Sequence, residues 1–281
     1  MPSPTVRGRR VRAELARLRK ERDLTITHVA GELDWSPSRL SRIESGHRQI
    51  HPTDVRVLLD VYEVTGPQRD ALIQLARESR KKAWWHSYGD AVPEWFETYV
   101  GLEAEASRIH VYESELVPGL LQTEQYARAL HEVSLVEQPE EEIEKRVKVR
   151  MTRQDRLTAP DAPQLWAIVN EAVLRRVVGD AATMREQLDH LHEAAKRRNI
   201  TLQILPFGVG AHPAMDGAFN ILDFPEEIDP TVVYLDTRTG GLYLEEPEHV
   251  NTYRLMFNHV VARALAPEES SAFLARVVAE L

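Results

Sequence analysis

Apolar side chains recur at helical spacing through the first eighty residues of the chain. The apolar positions of the first two segments are Val11, Leu15 and Leu18, followed by Ile26, Val29, Ala30 and Leu33. They fall three or four residues apart, which is the spacing of one face of an α-helix. Similar segments follow at 36–45, at about 52–62 and from about Pro67 to Arg80. The pattern therefore predicts five short helices with tight connections.

The third segment has clear signals for both of its ends. Ser36 can cap free backbone N–H groups, and Pro37 suits the first helical position, where a missing N–H has no cost. Gly46 can adopt the left-handed conformation that ends a helix. Between these ends, Leu40 and Ile43 supply only a narrow apolar edge. The segment is thus predicted to expose its other side chains to a partner, namely Ser38, Arg39, Ser41 and Arg42.

Beyond residue 92 the pattern predicts both helices and strands. Alternating apolar residues predict strands at 165–170, 200–207, 218–224 and 231–237. Helical spacing predicts helices at 94–113, 122–133, 139–157, around 184–195, near 246–264 and at 267–280. The predicted fold is an all-α N-terminal domain of five helices, residues 1–80, followed by a mixed α+β domain, residues 92–281. Residues 81–91 are predicted to be the linker, and Trp84 and Trp85 within it are expected to be packing residues rather than an exposed ligand platform.

The charge is unevenly distributed between the two predicted domains. Residues 1–82 hold 17 Lys and Arg against 11 Asp and Glu, a net charge of +6, whereas residues 83–281 hold 18 against 33, a net charge of −15. A basic N-terminal part on an acidic body suggests a polyanionic partner for the first part only. The 281 residues include no cysteine, which excludes disulfides and thiolate chemistry. No segment is apolar enough to span a membrane, so a cytoplasmic protein is expected.

The second and third predicted helices, joined by a short turn at Asp34 and Trp35, have the dimensions of a helix-turn-helix. The stretch 18–52, with its SPSRLSRIESG motif at 36–46, resembles the DNA-binding domain of the Cro/C1 repressor family, also called the xenobiotic-response-element family. The resemblance implies that helix 36–45 lies in the major groove of double-stranded DNA. It implies a DNA-binding set comprising Ser36, Pro37, Ser38, Arg39, Arg42, Ser45, His47 and Arg48.

Within this set the side chains are expected to have different roles. Arg42 is the strongest candidate for a specific base contact, because a guanidinium can bond both O6 and N7 of guanine. Ser45, His47 and Arg48 suit phosphate contacts, which position a protein without selecting a sequence. For Arg39, a solvated role and a DNA contact are both open.

Other residues of the first domain also have two interpretations. Arg19 and Glu44 could contact DNA, but the family pattern implies a structural ion pair between the first and third helices. Trp35 is expected to plug the core at the turn rather than to stack on a base. The arginines near the N-terminus predict either a phosphate clamp or a disordered basic tail, and they are Arg7, Arg9, Arg10 and Arg12.

Two positions depart from the Cro/C1 pattern. Ile26 stands where the family usually has a glutamine that contacts a phosphate, so that contact is lost or replaced. Asp34 stands where the turn usually has glycine. Because Asp tolerates a left-handed backbone better than most residues, the turn is expected to be retained.

The acidic body resembles the C-terminal domain of WhiJ-like, antitoxin-like actinobacterial regulators. The resemblance covers about residues 90–275 and includes the phrases LVPGLLQTEQYARAL and ILPFGVGAHPAMDGAFNILDF. Such regulators are often encoded beside a small protein, so the resemblance implies a protein-binding or signal-sensing role. It supplies no ligand.

Catalysis is not expected from the body. His190 and His192 lie two residues apart on a predicted helix and point in different directions, so they cannot share a metal. His212 and Asp216 flank a glycine-containing turn, for which an ordinary hairpin loop is the favoured interpretation. No phosphate loop, dinucleotide fingerprint or nucleophile elbow is present. No cofactor and no metal are predicted.

The combined expectation is a sequence-specific transcriptional regulator that binds DNA as a homodimer through residues 1–80. The C-terminal domain would provide dimerisation and regulation by a protein or a ligand. The alternative is an antitoxin-like interaction module that binds a small neighbouring protein and uses DNA binding only for autoregulation. A dimer is expected because one recognition helix covers too few base pairs for discrimination within a genome.

Overall fold

The computed structural model describes residues 4–46, 48, 50–80, 84–133, 139–225, 229–237 and 239–281. The chain divides into two compact units. Unit 1 comprises residues 1–86 with 226–229, and unit 2 comprises residues 87–225 and 230–281. The predicted fold class is confirmed, because unit 1 is helical and unit 2 combines helices with one mixed sheet.

Unit 1 contains five α-helices that enclose one apolar core. They are α1 (Pro4–Glu21), α2 (Ile26–Glu32), α3 (Pro37–Glu44), α4 (Pro52–Val61) and α5 (Gly66–Glu78). Each helix contributes a single apolar stripe, and the stripes meet in a cluster that includes Val11, Leu15, Val29, Leu40, Ile43, Leu58 and Leu59, all of them fully buried. Burying one stripe leaves the opposite side of each short helix available for polar groups.

The helix ends of unit 1 follow from local hydrogen bonds. The side chain of Thr25 accepts a hydrogen bond from the His28 amide and so caps α2, and Ser36 caps α3 by accepting one from the Arg39 amide. Asp34, in the turn between these helices, has a φ of 54°. It therefore takes the left-handed conformation for which glycine is the usual residue, as predicted. Gly46 follows α3 with a φ of 84°.

The arginines near the N-terminus are helical, and the disordered tail considered for them is therefore wrong. They lie on α1, which begins at Pro4. Arg7 forms an ion pair with Glu78 of α5 at 2.9 Å. An apolar stripe that already includes the buried Val6 and Val11 extends the helix through this segment. The phosphate clamp stays a prediction. Arg7 would contribute to it only if its ion pair with Glu78 were broken.

A short 3-10 helix, Trp84–Ala91, starts in unit 1 and ends in unit 2. The α-helices of unit 2 are α6 (Glu94–Glu105), α7 (Glu124–Glu132), α8 (Glu140–Gln154), α9 (Glu171–Arg175), α10 (Ala181–Ala194), α11 (Pro247–Val261) and α12 (Pro267–Glu280). Its strands are β1 (Arg108–Glu113), β2 (Gln164–Asn170), β3 (Ile200–Leu205), β4 (Phe219–Asp223), β5 (Val232–Thr237) and β6 (Gly240–Leu244).

The six strands form one sheet in the order β3-β2-β1-β4-β5-β6. The first three strands are parallel, whereas β4, β5 and β6 are joined by antiparallel pairing that begins between β1 and β4. The chain therefore proceeds outward from β1 to β3 and then returns to add β4 on the other side of β1. In open α/β sheets, ligands tend to bind at the carboxyl ends of strands where the strand order changes direction.

Alternation along the strands gives the sheet two different faces. One face packs its aromatic and aliphatic residues against α11, in a core that includes Tyr112, Ile168, Phe219, Ile221, Val233 and Phe257. The other face carries Val111, Asn220 and Tyr234 in one row, because Val111 pairs with Asn220 and Asn220 with Tyr234. This second face is not filled completely by side chains.

Two segments of unit 2 differ from the sequence prediction. The helix predicted over 94–113 ends at Glu105, and residues 108–113 form the central strand β1. Its apolar residues, Ile109, Val111 and Tyr112, follow α6 after a connection of two residues, so this short pattern is easily mistaken for a continuation of the helix. The strand β6 is absent from the sequence prediction. Its sequence, GGLYL, starts with two glycines and does not alternate between apolar and polar residues.

Candidate nucleic-acid interface

One side of α3 is exposed and polar along its whole length. Ser38, Ser41, Arg42 and Ser45 are exposed, and each lies three or four residues from at least two of the others, which is the spacing of one helical face. They lie opposite Leu40 and Ile43, which are fully buried. This surface, called here the α3 face, has the dimensions of a recognition helix that enters a groove of DNA. Ser41 belongs to it although it is absent from the DNA-binding set predicted from the sequence.

Arg42 is the one arginine of the α3 face. Its Nε donates a hydrogen bond to the Ser38 carbonyl oxygen one turn earlier, at 3.2 Å. Among the residues that the structure describes, no carboxylate pairs with its guanidinium. The side chain is exposed, so its terminal nitrogens face solvent. Arg42 can therefore offer two parallel N–H donors to a base or a phosphate.

Arg39 is held by two neighbours in unit 1. Its Nη2 donates to a carboxylate oxygen of Asp54 on α4 at 2.9 Å. Its guanidinium also lies over the indole ring of Trp35, 3.9 Å from the ring centroid. Asp54 is buried, so this contact ties the start of α3 to α4. These contacts give Arg39 a part in positioning the helix, and its predicted DNA contact stays a prediction.

Trp35 is half-buried and packs against the core of unit 1. This placement agrees with its predicted role as a plug at the turn. The same ring supports Arg39, so the turn and the first residues of α3 are stabilised together.

Arg19 and Glu44 form a nearly buried ion pair at the other end of α3. Nε and Nη2 of Arg19 donate to the two carboxylate oxygens of Glu44 at 2.8 and 2.9 Å, and Nη1 donates to the Leu24 carbonyl oxygen at 2.7 Å. Hydrogen bonding to Glu44 raises the pKa of Arg19, although burial opposes this effect. The side chains retain 10% and 11% of their exposure. Arg19 therefore donates these three hydrogen bonds to acceptors inside unit 1.

The remaining residues of the predicted DNA-binding set lie at the ends of α3. Ser36 is exposed, and its hydroxyl is 3.1 Å from that of Ser38. Pro37 is exposed at the first helical position. Arg48 is exposed beyond α3, and its amide donates to the Arg42 carbonyl oxygen at 3.0 Å. His47 lies outside the described residues, so its predicted phosphate contact stays a prediction.

Helix α2 starts differently from the Cro/C1 pattern. Ile26, at the position where the resemblance implies glutamine, is half-buried and packs against the core. Its side chain cannot donate a hydrogen bond to a phosphate. Thr27 and His28 beside it are exposed, and Nε2 of His28 lies 3.1 Å from a carboxylate oxygen of Glu32.

Comparison with known families matches both units. Residues 10–72 match a family model described as a helix-turn-helix domain, and residues 96–276 match one described as a domain of unknown function, DUF5753. The chain belongs to the DUF5753 family. No curated protein and no solved structure matches it. In this DUF5753 protein, the helix-turn-helix domain indicates a DNA-binding regulator, and α2 and α3 are the two helices of that motif.

The histidines of this DUF5753 protein do not form a metal centre in the part of the chain that the structure describes. Within the described ranges, no group of three or more His, Asp or Glu side chains has an arrangement that could hold a metal ion. His192 contacts the Ser271 hydroxyl at 3.0 Å, and His212 contacts the Tyr112 hydroxyl at 3.4 Å. No helix among the described residues is long and apolar enough to cross a membrane.

Proposed function

We propose that this protein is a sequence-specific transcriptional regulator of the Cro/C1 type. Helix α3 enters the major groove, and the α3 face contacts the base edges. The observation that carries this proposal is that every exposed side chain of that face is polar, while the arginines that flank it, Arg19 and Arg39, are engaged inside unit 1. The helix is therefore fixed by residues that do not need to touch DNA.

Charge supports the same proposal. Residues 1–82 have a net charge of +6 in a chain whose net charge is −9. Positive potential attracts the phosphate backbone and accelerates association, whereas the acidic remainder is repelled. The basic part would thus be the part that approaches DNA.

Arg42 is the proposed base-specific residue. A bidentate contact of a guanidinium with guanine contributes about 1–3 kcal/mol of discrimination against another base. Serine hydroxyls accept and donate hydrogen bonds, so Ser38 and Ser41 would discriminate less. Arg48 would contact phosphate and position the helix.

The decisive experiment compares Arg42→Ala with the wild type on two duplexes. Preferred sites are first selected from a random duplex library with the wild-type protein, and binding isotherms are then measured on the selected duplex and on a scrambled one. We expect Arg42→Ala to weaken binding to the selected duplex by about 1–3 kcal/mol and to have a smaller effect on the scrambled duplex.

The matched control is Arg276→Ala, which removes the same charge from an exposed position on α12. It should leave both isotherms unchanged. Equal weakening of the Arg42→Ala protein on both duplexes would make Arg42 a phosphate contact. An unchanged isotherm would remove it from the interface.

A homodimer and a small protein partner are part of the same proposal. One α3 helix spans a few base pairs, so tight and selective binding calls for two copies on half-sites about 34 Å apart. Light scattering on the full-length protein tests the homodimer. A monomer that binds one selected site tightly would contradict the homodimer.

Copurification of the protein encoded beside this chain tests the antitoxin-like alternative.

A further inference from the structure

Unit 2 contains a cavity on the sheet face opposite α11. Its volume is about 560 Å³, which is within the range of small-molecule sites. The sheet contributes Val111, Asn220 and Tyr234 to the wall of the cavity. The helices α6 and α8 also line it, for example with Tyr99 and Arg150. The cavity lies at the carboxyl end of β1, beside the point where the strand order changes direction.

Two carboxylates face this cavity from the same row of the sheet. Glu113 ends β1, and Asp236 lies on β5. Continuing the observed register by one residue between β1 and β4 and by two residues between β4 and β5 places Ala218 between them, and all three line the cavity. Strands two apart are separated by roughly 10 Å, and the small alanine leaves that space open. In the described part of the chain, neither carboxylate has a cationic side chain within 4 Å.

The cationic groups of the cavity come from α8 and are engaged elsewhere. Arg153 donates two hydrogen bonds to Glu103 of α6, at 2.8 and 2.7 Å, and this buried pair is neutral as a unit. Arg150 donates from Nη1 to the side-chain oxygen of Gln122 at 2.8 Å, and its Nε is buried without a hydrogen-bond partner. Glu115, which also lines the cavity, is paired with Arg176 at 2.8 Å. Among the described residues that line the cavity, Arg150 is therefore left to face the two carboxylates Glu113 and Asp236.

The ionisation of Glu113 reflects this imbalance. Burial and, to a smaller extent, the charge of Asp236 raise the pKa of Glu113 to about 8, and the opposing effect of Arg150 is smaller. Burial also raises the pKa of Asp236. Both acids would thus be stabilised in their charged forms by an additional positive charge between them.

We propose that this cavity binds a small organic monocation, an amine carried on an apolar or aromatic body. Beside a bound ammonium, which favours the charged form of Glu113, the groups Glu113, Asp236 and Arg150 sum to one negative charge, and the ammonium neutralises it. A carboxylate ligand would instead add a second negative charge. Trp95, Phe96 and Tyr99 of α6 also line the cavity, and their rings suit the apolar body of such a ligand. The rings of Phe96 and Tyr99 already lie 5.0 and 5.5 Å from the Arg153 guanidinium, so the carboxylates are the groups that would hold the ammonium.

The proposal concerns unit 2 and does not depend on DNA binding by unit 1. It is tested by isothermal titration calorimetry on the full-length protein with three probes of one shape: 2-phenylethylamine, phenylacetate and 2-phenylethanol. We expect the amine to bind at least about tenfold more tightly than either of the other two, since a charge-assisted hydrogen bond is worth that much in affinity.

Variants then locate the site. Glu113→Gln and Asp236→Asn should each weaken amine binding about tenfold. Glu248→Gln is the matched control, because Glu248 is exposed on α11, which covers the other sheet face. Amine affinity of the wild type should also rise between pH 6 and pH 8.5, whereas that of Glu113→Gln should change less.

Three results would overturn the proposal. Tighter binding of phenylacetate, lost in Arg150→Gln, would make this an anion site. Equal binding of all three probes would show an apolar site without charge selection. Undetectable amine binding by a wild-type protein with a normal thermal transition would show that aromatic monocations are not its ligands.

Discussion

Replacing Glu44 with alanine should destabilise unit 1 severely. The change removes two of the three hydrogen bonds that Arg19 donates and leaves its positive charge in a site where the side chain is only 10% exposed. Breaking a buried pair by removing one partner costs about 3–5 kcal/mol, and because water reaches the edge of this pair we expect about 3 kcal/mol. For a domain of this size, each kcal/mol lowers the melting temperature by roughly 4–8 °C, so the loss should be roughly 12–24 °C.

Differential scanning calorimetry of the full-length protein measures this effect. The transition of unit 1 is identified as the one that also falls in Leu58→Ala, since Leu58 is fully buried in that unit. Arg17→Ala is the control, because Arg17 is 43% exposed and its ion pairs should contribute less than about 1 kcal/mol. The double variant Arg19→Met with Glu44→Leu should recover most of the loss, because apolar residues can replace a buried pair.

Two results would refute this reasoning. A transition in Glu44→Ala within about 2 °C of the wild type would show that the pair adds little stability, far below the roughly 4–8 °C expected per kcal/mol. A double variant that melts as low as the single variant would show that the loss does not come from an unpaired buried charge. In either case an altered sequence preference would return Arg19 and Glu44 to the DNA interface.

Three further predictions concern other contacts. Arg39→Ala should lower the melting temperature of unit 1 by losing its ion pair and its indole contact, yet preserve the ratio of selected to scrambled duplex affinity in binding isotherms. Gly241→Ala should cost about 1–3 kcal/mol in denaturant unfolding, because a Cβ there would lie 2.4 Å from the Tyr234 ring, whereas Gly208→Ala, with open space around it, should cost less. Because a raised carboxyl pKa makes folding less favourable as pH rises, Glu113→Gln should stabilise the protein relative to the wild type more at pH 8.5 than at pH 5, as thermal melts at each pH would show.

The helix-turn-helix could be predicted because its signals are local. Thr25, Ser36 and Gly46 act on backbone groups a few residues away, so the helix ends are visible in short stretches of sequence. The exposed α3 face follows from the same periodicity. The role of Arg39 could not be predicted, because Asp54 lies fifteen residues away and the contact depends on how α3 and α4 pack.

The strand β1 and the cavity show the opposite case. Residues 108–113 include only three apolar side chains, Ile109, Val111 and Tyr112, so the period-two alternation is too short to separate the strand from the helix that precedes it. Glu113 and Asp236 lie far apart in the sequence, and only the register through β4 brings them to one cavity. A short stretch of sequence therefore cannot predict a site of this kind.

The two ion pairs that hold α3 have a consequence for how its specificity can change. Glu44 anchors the end of the helix to α1, and Arg39 anchors its start to α4, while Leu40 and Ile43 fill the core. None of these anchors belongs to the α3 face. Substitutions on that face can therefore accumulate without an accompanying loss of folding stability, so related chains could diverge in the DNA they select while they keep the same helical frame.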